Sequence, residues 1–272
     1  MTNSYTPVKS AIRCLDVLVA VNRLETNATV GEIHRLVDIE KPTIVRMLET
    51  LTFLGFLAKD EKTLSYAPTG KSLSLSAGYK KHKLFSALIS PLLQEFNQII
   101  GWPVNIGIFD YDSMLIIETK KESGQVSFGR TFEVGIGTRA PMLGSSLGLA
   151  YFAFTTETER KKIISLINKT KMDAWSLIAK DHNLLKKKIE QIQKQGYSLM
   201  QEDFAKFQYN NRVECIAVPV KYMSTLYGSL NVGFLKTVIN TDAAINKFLP
   251  IVKDMANKIG EHVYRNNNQL TF

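Results

Sequence analysis

Between Thr29 and Leu54 the apolar residues fall into two consecutive helical stripes. Val30, Ile33, Leu36 and Val37 form the first, and Ile44, Met47, Leu48, Leu51 and Leu54 form the second. Asp38 to Glu40 breaks the pattern between them. Two short helices joined by so tight a turn bury their stripes against each other and need a third element to close the core, the arrangement of a helix-turn-helix. Val8 to Leu24 supplies that element. Ile12, Leu15, Val17, Leu18, Val19 and Val21 give it a broad apolar face, Ser10 lies near its start, and Cys14 is a small packing residue within it. Asn27 to Thr29 offers a cap for the helix that follows.

The second helix of the pair opens at Lys41-Pro42-Thr43, where proline is tolerated because its missing N–H has no intrahelical partner. Lys41, Thr43, Arg46 and Thr50 fall on or near the face opposite the stripe, and Val45 also points away from it. Such a face suits a DNA major groove: Thr43 and Arg46 can reach phosphates or base edges, and Val45 can touch a thymine methyl. Taken alone, the pair also fits an ordinary amphipathic hairpin, and the next segment separates the two readings. Gly55 ends the helix, Phe56 to Ala58 and Leu64 to Ala67 read as short strands, and Lys59 to Lys62 is a polar turn. This is a wing, and it sets Lys59 or Lys62 beside the phosphate backbone.

A formal charge of +9 points to a polyanionic partner, but its distribution weakens the inference. Residues 1–80 hold ten Lys and Arg against eight Asp and Glu, a net of +2. The excess lies beyond, around Lys161, Lys162, Lys169, Lys171 and Lys186 to Lys188, where a solvated helix face accounts for it. With 272 residues the chain suits two domains, and the basic, pattern-breaking Tyr79 to Lys83 divides a first domain, 1–80, from a second, 81–272. Gly70 to Gly78 reads as a connecting helix at the end of the first. No apolar run is long enough to span a membrane, and Met1 to Lys9 lacks an apolar signal core, so the expectation is a cytoplasmic protein. The two cysteines are far apart in unrelated contexts, which suits reduced thiols.

Beyond the boundary, Leu84 to Ile100 repeats at helical spacing with Pro91 inside, so the helix bends or begins afresh there. Strands are expected at Pro103 to Phe109, Met114 to Thr119, Val126 to Phe132, Tyr197 to Met200, Glu214 to Lys221 and Leu226 to Phe234. Helices are expected at Ser145 to Phe154, Glu157 to Ile167, His182 to Gln195 and Asp242 to Tyr264, the last capped by Thr241 or Asp242. Antiparallel strand pairs with helices around them make an α+β domain, one curved sheet flanked by helices. Signs of catalysis are sparse. His34, His82, His182 and His262 are scattered, no metal-binding spacing occurs, and the Gly-x-Ser-x-Gly and P-loop patterns are absent. Cys215 begins an apolar strand run, where a thiol packs or lines a cavity. No metal, no cofactor and no enzymatic activity are expected.

Taken together, Val8-Lys9-Ser10 with Arg13 and Leu15, Glu32-Ile33, Lys41, Thr43, Arg46-Met47-Leu48, Thr50-Leu51, Gly55-Phe56 and Tyr66 resemble the winged helix-turn-helix of IclR-type bacterial transcription regulators. The resemblance continues at Val134-Gly135, Pro141-Met142, Gly148-Leu149-Ala150 and Cys215 to Val220, and so covers nearly the whole chain. It implies a GAF-like effector-binding domain after the winged helix-turn-helix, double-stranded DNA and a small-molecule effector as partners, and a homodimer or tetramer. It also implies DNA contacts at Ser10, Arg13, Lys41, Pro42, Thr43, Val45, Arg46, Thr50, Lys59 and Lys62. Effector contacts carry over to Met142, Ser146, Leu147 and Cys215, with Asn231 and Gly233 standing where the family has two serines. Glu202 and Asp203 are candidates for an acidic pocket residue. Family members commonly carry Pro-Lys-Ser-Thr where this chain has Glu40-Lys41-Pro42-Thr43, and often an aromatic residue or His at Val45, so the operator preference is the chain's own. Loss of both serines and the presence of Leu147 favour a larger, partly aromatic effector in a roomier apolar site, with Arg139 or Arg130 available to its carboxylate. Two other readings fit the same residues: an enzyme using the C-terminal cavity, and a ligand-binding scaffold without DNA binding.

Overall fold

The computed structural model describes residues 6–24, 27–78, 81–121, 134–169 and 174–266, and the chain divides into two compact units, Met1–Lys80 and Lys81–Phe272. The strand expected at Val126 to Phe132, and with it Arg130, lies outside the described residues.

In the first unit α1 (Lys9–Arg23), α2 (Val30–Leu36) and α3 (Lys41–Phe53) pack Val17, Leu18, Ile33, Ile44, Leu48 and Leu51 into one core. Thr29 and Glu32 form a reciprocal capping box that starts α2: the Glu32 N–H donates to the threonine hydroxyl, and the carboxylate accepts from the Thr29 N–H at 3.0 Å. At the other end of α3, Gly55 adopts φ +76°, and the N–H groups of Gly55 and Phe56 bond back to the Thr52 and Leu51 carbonyls. That pair of bonds is a Schellman motif, which a Cβ-bearing residue at 55 would strain. β2 (Leu57–Asp60) and β3 (Ser65–Pro68) form the wing. The short β1 (Ala28–Thr29), too brief to show in the hydropathy pattern, pairs with β3 as a third strand. Gly70–Leu75 is a 3-10 turn where a connecting helix was expected.

The second unit is a five-stranded antiparallel sheet ordered β6-β5-β4-β8-β7. Its strands are β4 (Val104–Asp110), β5 (Ser113–Lys120), β6 (Arg139–Pro141), β7 (Val213–Tyr222) and β8 (Thr225–Leu235). On one face lie α4 (Lys81–Ile100) and α9 (Thr241–Arg265), packing Phe85, Ile89, Leu93, Phe96, Phe248 and Val252 against Val104, Ile106 and Val232. On the other lies α5 (Ser146–Phe154), backed by α6 (Glu157–Ile167) and α7 (His182–Gln195). Because both faces are covered, the strands read as continuous apolar runs. α4 is continuous through Pro91, and α9 starts one residue earlier than read, with Asn240 accepting from the Ala243 N–H.

One expectation fails beside β7. Residues 197–200 make only a single bridge, Ser198 to Ala217, instead of a strand. The cause is Glu214: its carboxylate accepts the Met200 N–H at 3.0 Å and the Cys215 N–H at 2.9 Å, filling the edge positions a further ladder would use. After it comes α8 (Glu202–Tyr209), a helix that the sequence reading did not assign; only Phe204 and Ala205 of its eight residues are buried, so its apolar stripe is short. Burial pushes the Glu214 carboxyl above its ordinary value, against the pull of the two backbone N–H groups. A raised carboxyl favours the folded state while protonated, so this contribution falls as pH rises through the ordinary glutamate range toward the folded value. Glu214→Gln keeps the acceptor and removes the charge. It should therefore raise the denaturation midpoint of the second unit at pH 8, with the gain disappearing on acidification below about pH 4.5.

Candidate DNA-reading face and effector site

On α3 the buried Ile44, Leu48 and Leu51 turn Lys41, Pro42, Val45, Arg46, Glu49 and Thr50 outward, with Thr43 half-buried at the margin. Arg46 and Lys41 are exposed cations on this face, and Val45 is 38% exposed between them. The Thr50 hydroxyl donates to the Arg46 carbonyl at 2.8 Å and so is partly committed to its own helix. Ser10 and Arg13 are exposed on the first turns of α1.

The two wing lysines part company. Lys62 is exposed in the turn, whose shape is set by the Asp60 carboxylate accepting the Lys62 N–H at 2.9 Å. Lys59 instead reaches Glu49 of α3 at 3.3 Å, and the Tyr66 hydroxyl donates to the same carboxylate oxygen at 3.0 Å. Those two partners hold the Glu49 carboxyl below its usual range. Lys59 thus ties the wing to α3; the spacing of Glu49 and Lys59 carried no sign of this pairing.

In the second unit the six carried-over residues Met142, Ser146, Leu147, Cys215, Asn231 and Gly233 lie where α5 meets the sheet. Ser145 caps α5, its hydroxyl accepting the Gly148 N–H at 3.0 Å. Gly148 sits so close to the preceding loop that an added Cβ would lie 2.3 Å from the Met142 carbonyl oxygen and 2.5 Å from that of Pro141. This approach seats Ser146 and Leu147 on the sheet: Leu147 packs over Gly107 of β4, and its carbonyl accepts from Ser229 of β8 at 2.8 Å. Ser198 likewise donates to the Ser146 carbonyl at 2.7 Å.

Beneath Ser146 a row of polar side chains crosses the sheet. Thr119 of β5 donates to the Asn105 carbonyl oxygen on β4 at 2.7 Å, and the Asn105 amide donates to Asn231 of β8 at 3.0 Å. The Asn231 amide then reaches the Ser146 hydroxyl at 3.4 Å. Registry explains the alignment, since Thr119, Asn105, Asn231 and Ala217 are direct cross-strand partners. Ser146 also hydrogen-bonds Cys215, which is fully enclosed; burial pushes its thiol well above the usual value. A neutral thiol is a poor nucleophile. Gly233 is buried opposite Cys215 on β8, with its N–H donating to the Pro103 carbonyl at 2.9 Å. The row offers neutral donors and acceptors, buried at Asn105, Asn231 and Ser146 and half-buried at Thr119, and its Asn231-to-Ser146 link is the longest and weakest.

Other expected contacts lie away from the row. Arg139 is at the sheet edge, clamped to Asp110 and, at 2.8 Å, to Asp112, so its guanidinium already has its carboxylates. Glu202 and Asp203 stand exposed on the first turn of α8, where acidic side chains favour the helix dipole; the buried acid of this region is Glu214. Sequence reasoning missed Asn105, Thr119, Ser198 and Ser229. The available signal was the single asparagine within the apolar run Val104-Asn105-Ile106. Two surface concavities of about 430 and 210 Å³ lie along α9 and the end of β7, share Lys221 and Asn257, and include none of the row. Among the described residues there is no cluster of three or more His, Cys, Asp or Glu able to hold a metal, and no helix long and apolar enough to cross a membrane.

The Gly148 contact yields a sharp prediction. Because the atoms met are backbone rather than a flexible side chain, Gly148→Ala must displace the 141–145 loop from α5. It should destabilise the second unit by about 2 kcal/mol or more in denaturant unfolding.

The chain matches the family model of the bacterial transcriptional regulator IclR C-terminal domain over residues 79–261, and that of the IclR helix-turn-helix domain over residues 10–61. Among curated proteins it is 22% identical over 262 residues to the HTH-type transcriptional regulator KdgR of Escherichia coli, covering 94% of this chain and 95% of that one. It is 23% identical over 250 residues to the Pca regulon regulatory protein of Pseudomonas putida, covering 89% and 80% of the two chains. Its fold is shared with an IclR family transcriptional regulator of Brucella abortus, with a TM-score of 0.57, 23% identity, and 96% and 95% of the chains covered. It is shared too with an IclR homolog of Microbacterium hydrocarbonoxydans solved with 4-hydroxybenzoate, with a TM-score of 0.61, 15% identity, and 94% and 100% covered. With two family models in the order of its two units, and one of them spanning most of its length, the chain belongs to the IclR family of bacterial transcription regulators.

Proposed function

We propose that this regulator acts as a homodimer that places α3 in the major groove of a two-fold operator and changes its action when a small organic effector with an apolar body and a polar head binds at the row beneath Ser146. The observation that carries the effector reading is the row itself. Buried amides and hydroxyls satisfy one another across three strands and α5, and the weak link at Ser146 is where a ligand's polar atom can substitute. A compound such as the 4-hydroxybenzoate of the Microbacterium homolog has the required character. Among described residues the neutral Cys215 and the lack of a metal cluster give no support to catalysis.

Two predictions test the DNA end. Arg46 is the exposed cation at the centre of the reading face. Arg46→Ala should weaken binding to the chain's own upstream DNA by about 1–3 kcal/mol in electrophoretic mobility shifts. Lys62→Ala should lower affinity across sequences alike and make the salt dependence shallower, whereas Lys59→Ala should leave the salt slope nearly unchanged. An Arg46→Ala protein that shifts as well as wild type overturns the recognition-helix assignment. The effector end is tested by thermal-shift screening of the full chain against small aromatic and aliphatic acids, 4-hydroxybenzoate included, with Asn231→Leu as the control that should abolish any stabilisation found.

Dimerisation draws on α1. Val8, Ile12, Leu15 and Val19 are all 47–66% exposed and recur at alternating four- and three-residue spacing, the seam of a helix that pairs with another helix. Ile12→Asp should lower the solution mass measured by light scattering, or weaken operator binding if a second contact holds the dimer.

A further inference from the structure

We infer that residues 118–120 of β5 carry the occupancy of the polar row to α4, with Asn105 and Thr119 as ligand-contacting side chains and Glu118 as the positioning residue. The inference rests on the effector reading above and names the regulation of that site. Neighbouring residues of a strand face opposite sides of the sheet. Thr119 joins the row on the α5 face, while Glu118 and Lys120 on either side of it face α4. Glu118 is 7% exposed. It accepts hydrogen bonds from Ser86 and, at 3.4 Å, from Ser90, one turn apart on α4, and pairs with Lys120 at 3.1 Å. Lys120 closes the loop by donating to Ser90 at 3.0 Å.

Four polar side chains thus lock α4 to three residues of β5, and the middle residue of those three is the terminus of the row. A ligand that turns the Asn105 side chain, directly or by drawing Asn231 away from its N–H, takes the carbonyl oxygen from the Thr119 hydroxyl or moves Thr119 with it. Either way the strand is biased at the point where the α4 lock is attached. α4 begins at Lys81, where the chain enters the second unit from the winged helix-turn-helix. A register change at Ile106/Gly107 leaves Ile117 unpaired beside Glu118, so this end of β5 can shift without breaking the rest of the ladder.

Hydrogen-exchange mass spectrometry on the full-length protein tests the coupling with no ligand needed. Thr119→Val removes the hydroxyl at constant shape and should speed exchange of α4 amides around 86–93 at least threefold, while Thr119→Ser leaves them at the wild-type rate. In a background with Ser86→Ala and Ser90→Ala together, or with Glu118→Met should that protein fold poorly, Thr119→Val should add nothing further in α4. Unchanged α4 exchange in Thr119→Val, or the same increment with and without the Glu118 lock, overturns the inference. A failed effector screen would leave this cycle readable, and an additive cycle would leave the effector site standing, so the two proposals fail separately.

Discussion

Two asparagine amides buried back to back on neighbouring strands set the terms for the second unit. An amide sealed between a sheet and a helix costs several kcal/mol unless its donors and acceptors are met. Asn105 and Asn231 share one hydrogen bond, and one more for each comes from Thr119 on one side and Ser146 on the other. Satisfying Ser146 requires α5 to start at one height above the sheet, which in turn requires the bare Cα of Gly148 against the Met142 and Pro141 carbonyls. Polar bonding and steric closeness therefore specify the same placement, and a site with two independent constraints is held rigidly.

Elements with a strong period were legible from sequence. α6 and α7 have the bounds that helical spacing predicts, and in the structure Thr156 and Asp181 cap their starts while Gly196 ends α7. The wing followed from Gly55 and its polar turn. What escaped had its cause outside its own segment. β1 exists only because β3 offers it an edge, and residues 197–200 lose their ladder to a carboxylate on β7. Lys59 looks like any surface lysine until the fold brings it to Glu49, ten residues earlier in the chain.

The candidate site was half legible for a related reason. Ser146, Leu147 and Cys215 lie in stretches that carry the family resemblance, whereas Thr119 and Asn105 acquire meaning only through cross-strand registry. Arg139 shows the converse: a cation suited to a carboxylate ligand is consumed by two aspartates of the adjoining hairpin. Charge also misleads at the scale of the chain, since the basic excess lies beyond residue 80 while α3 presents only Lys41 and Arg46.

The latch of Glu49 with Tyr66 and Lys59 separates two kinds of position on one helix. Ile44, Leu48, Leu51 and Glu49 hold α3 in its unit, and Val45 and Arg46 hold nothing. Stability and sequence preference are therefore written in different letters of the same thirteen-residue word. On the reading proposed above, a lineage can rewrite Lys41, Pro42, Val45 and Arg46 to follow a drifting operator while Ile44 keeps the fold, and an engineer can graft a new reading face onto this scaffold by the same licence.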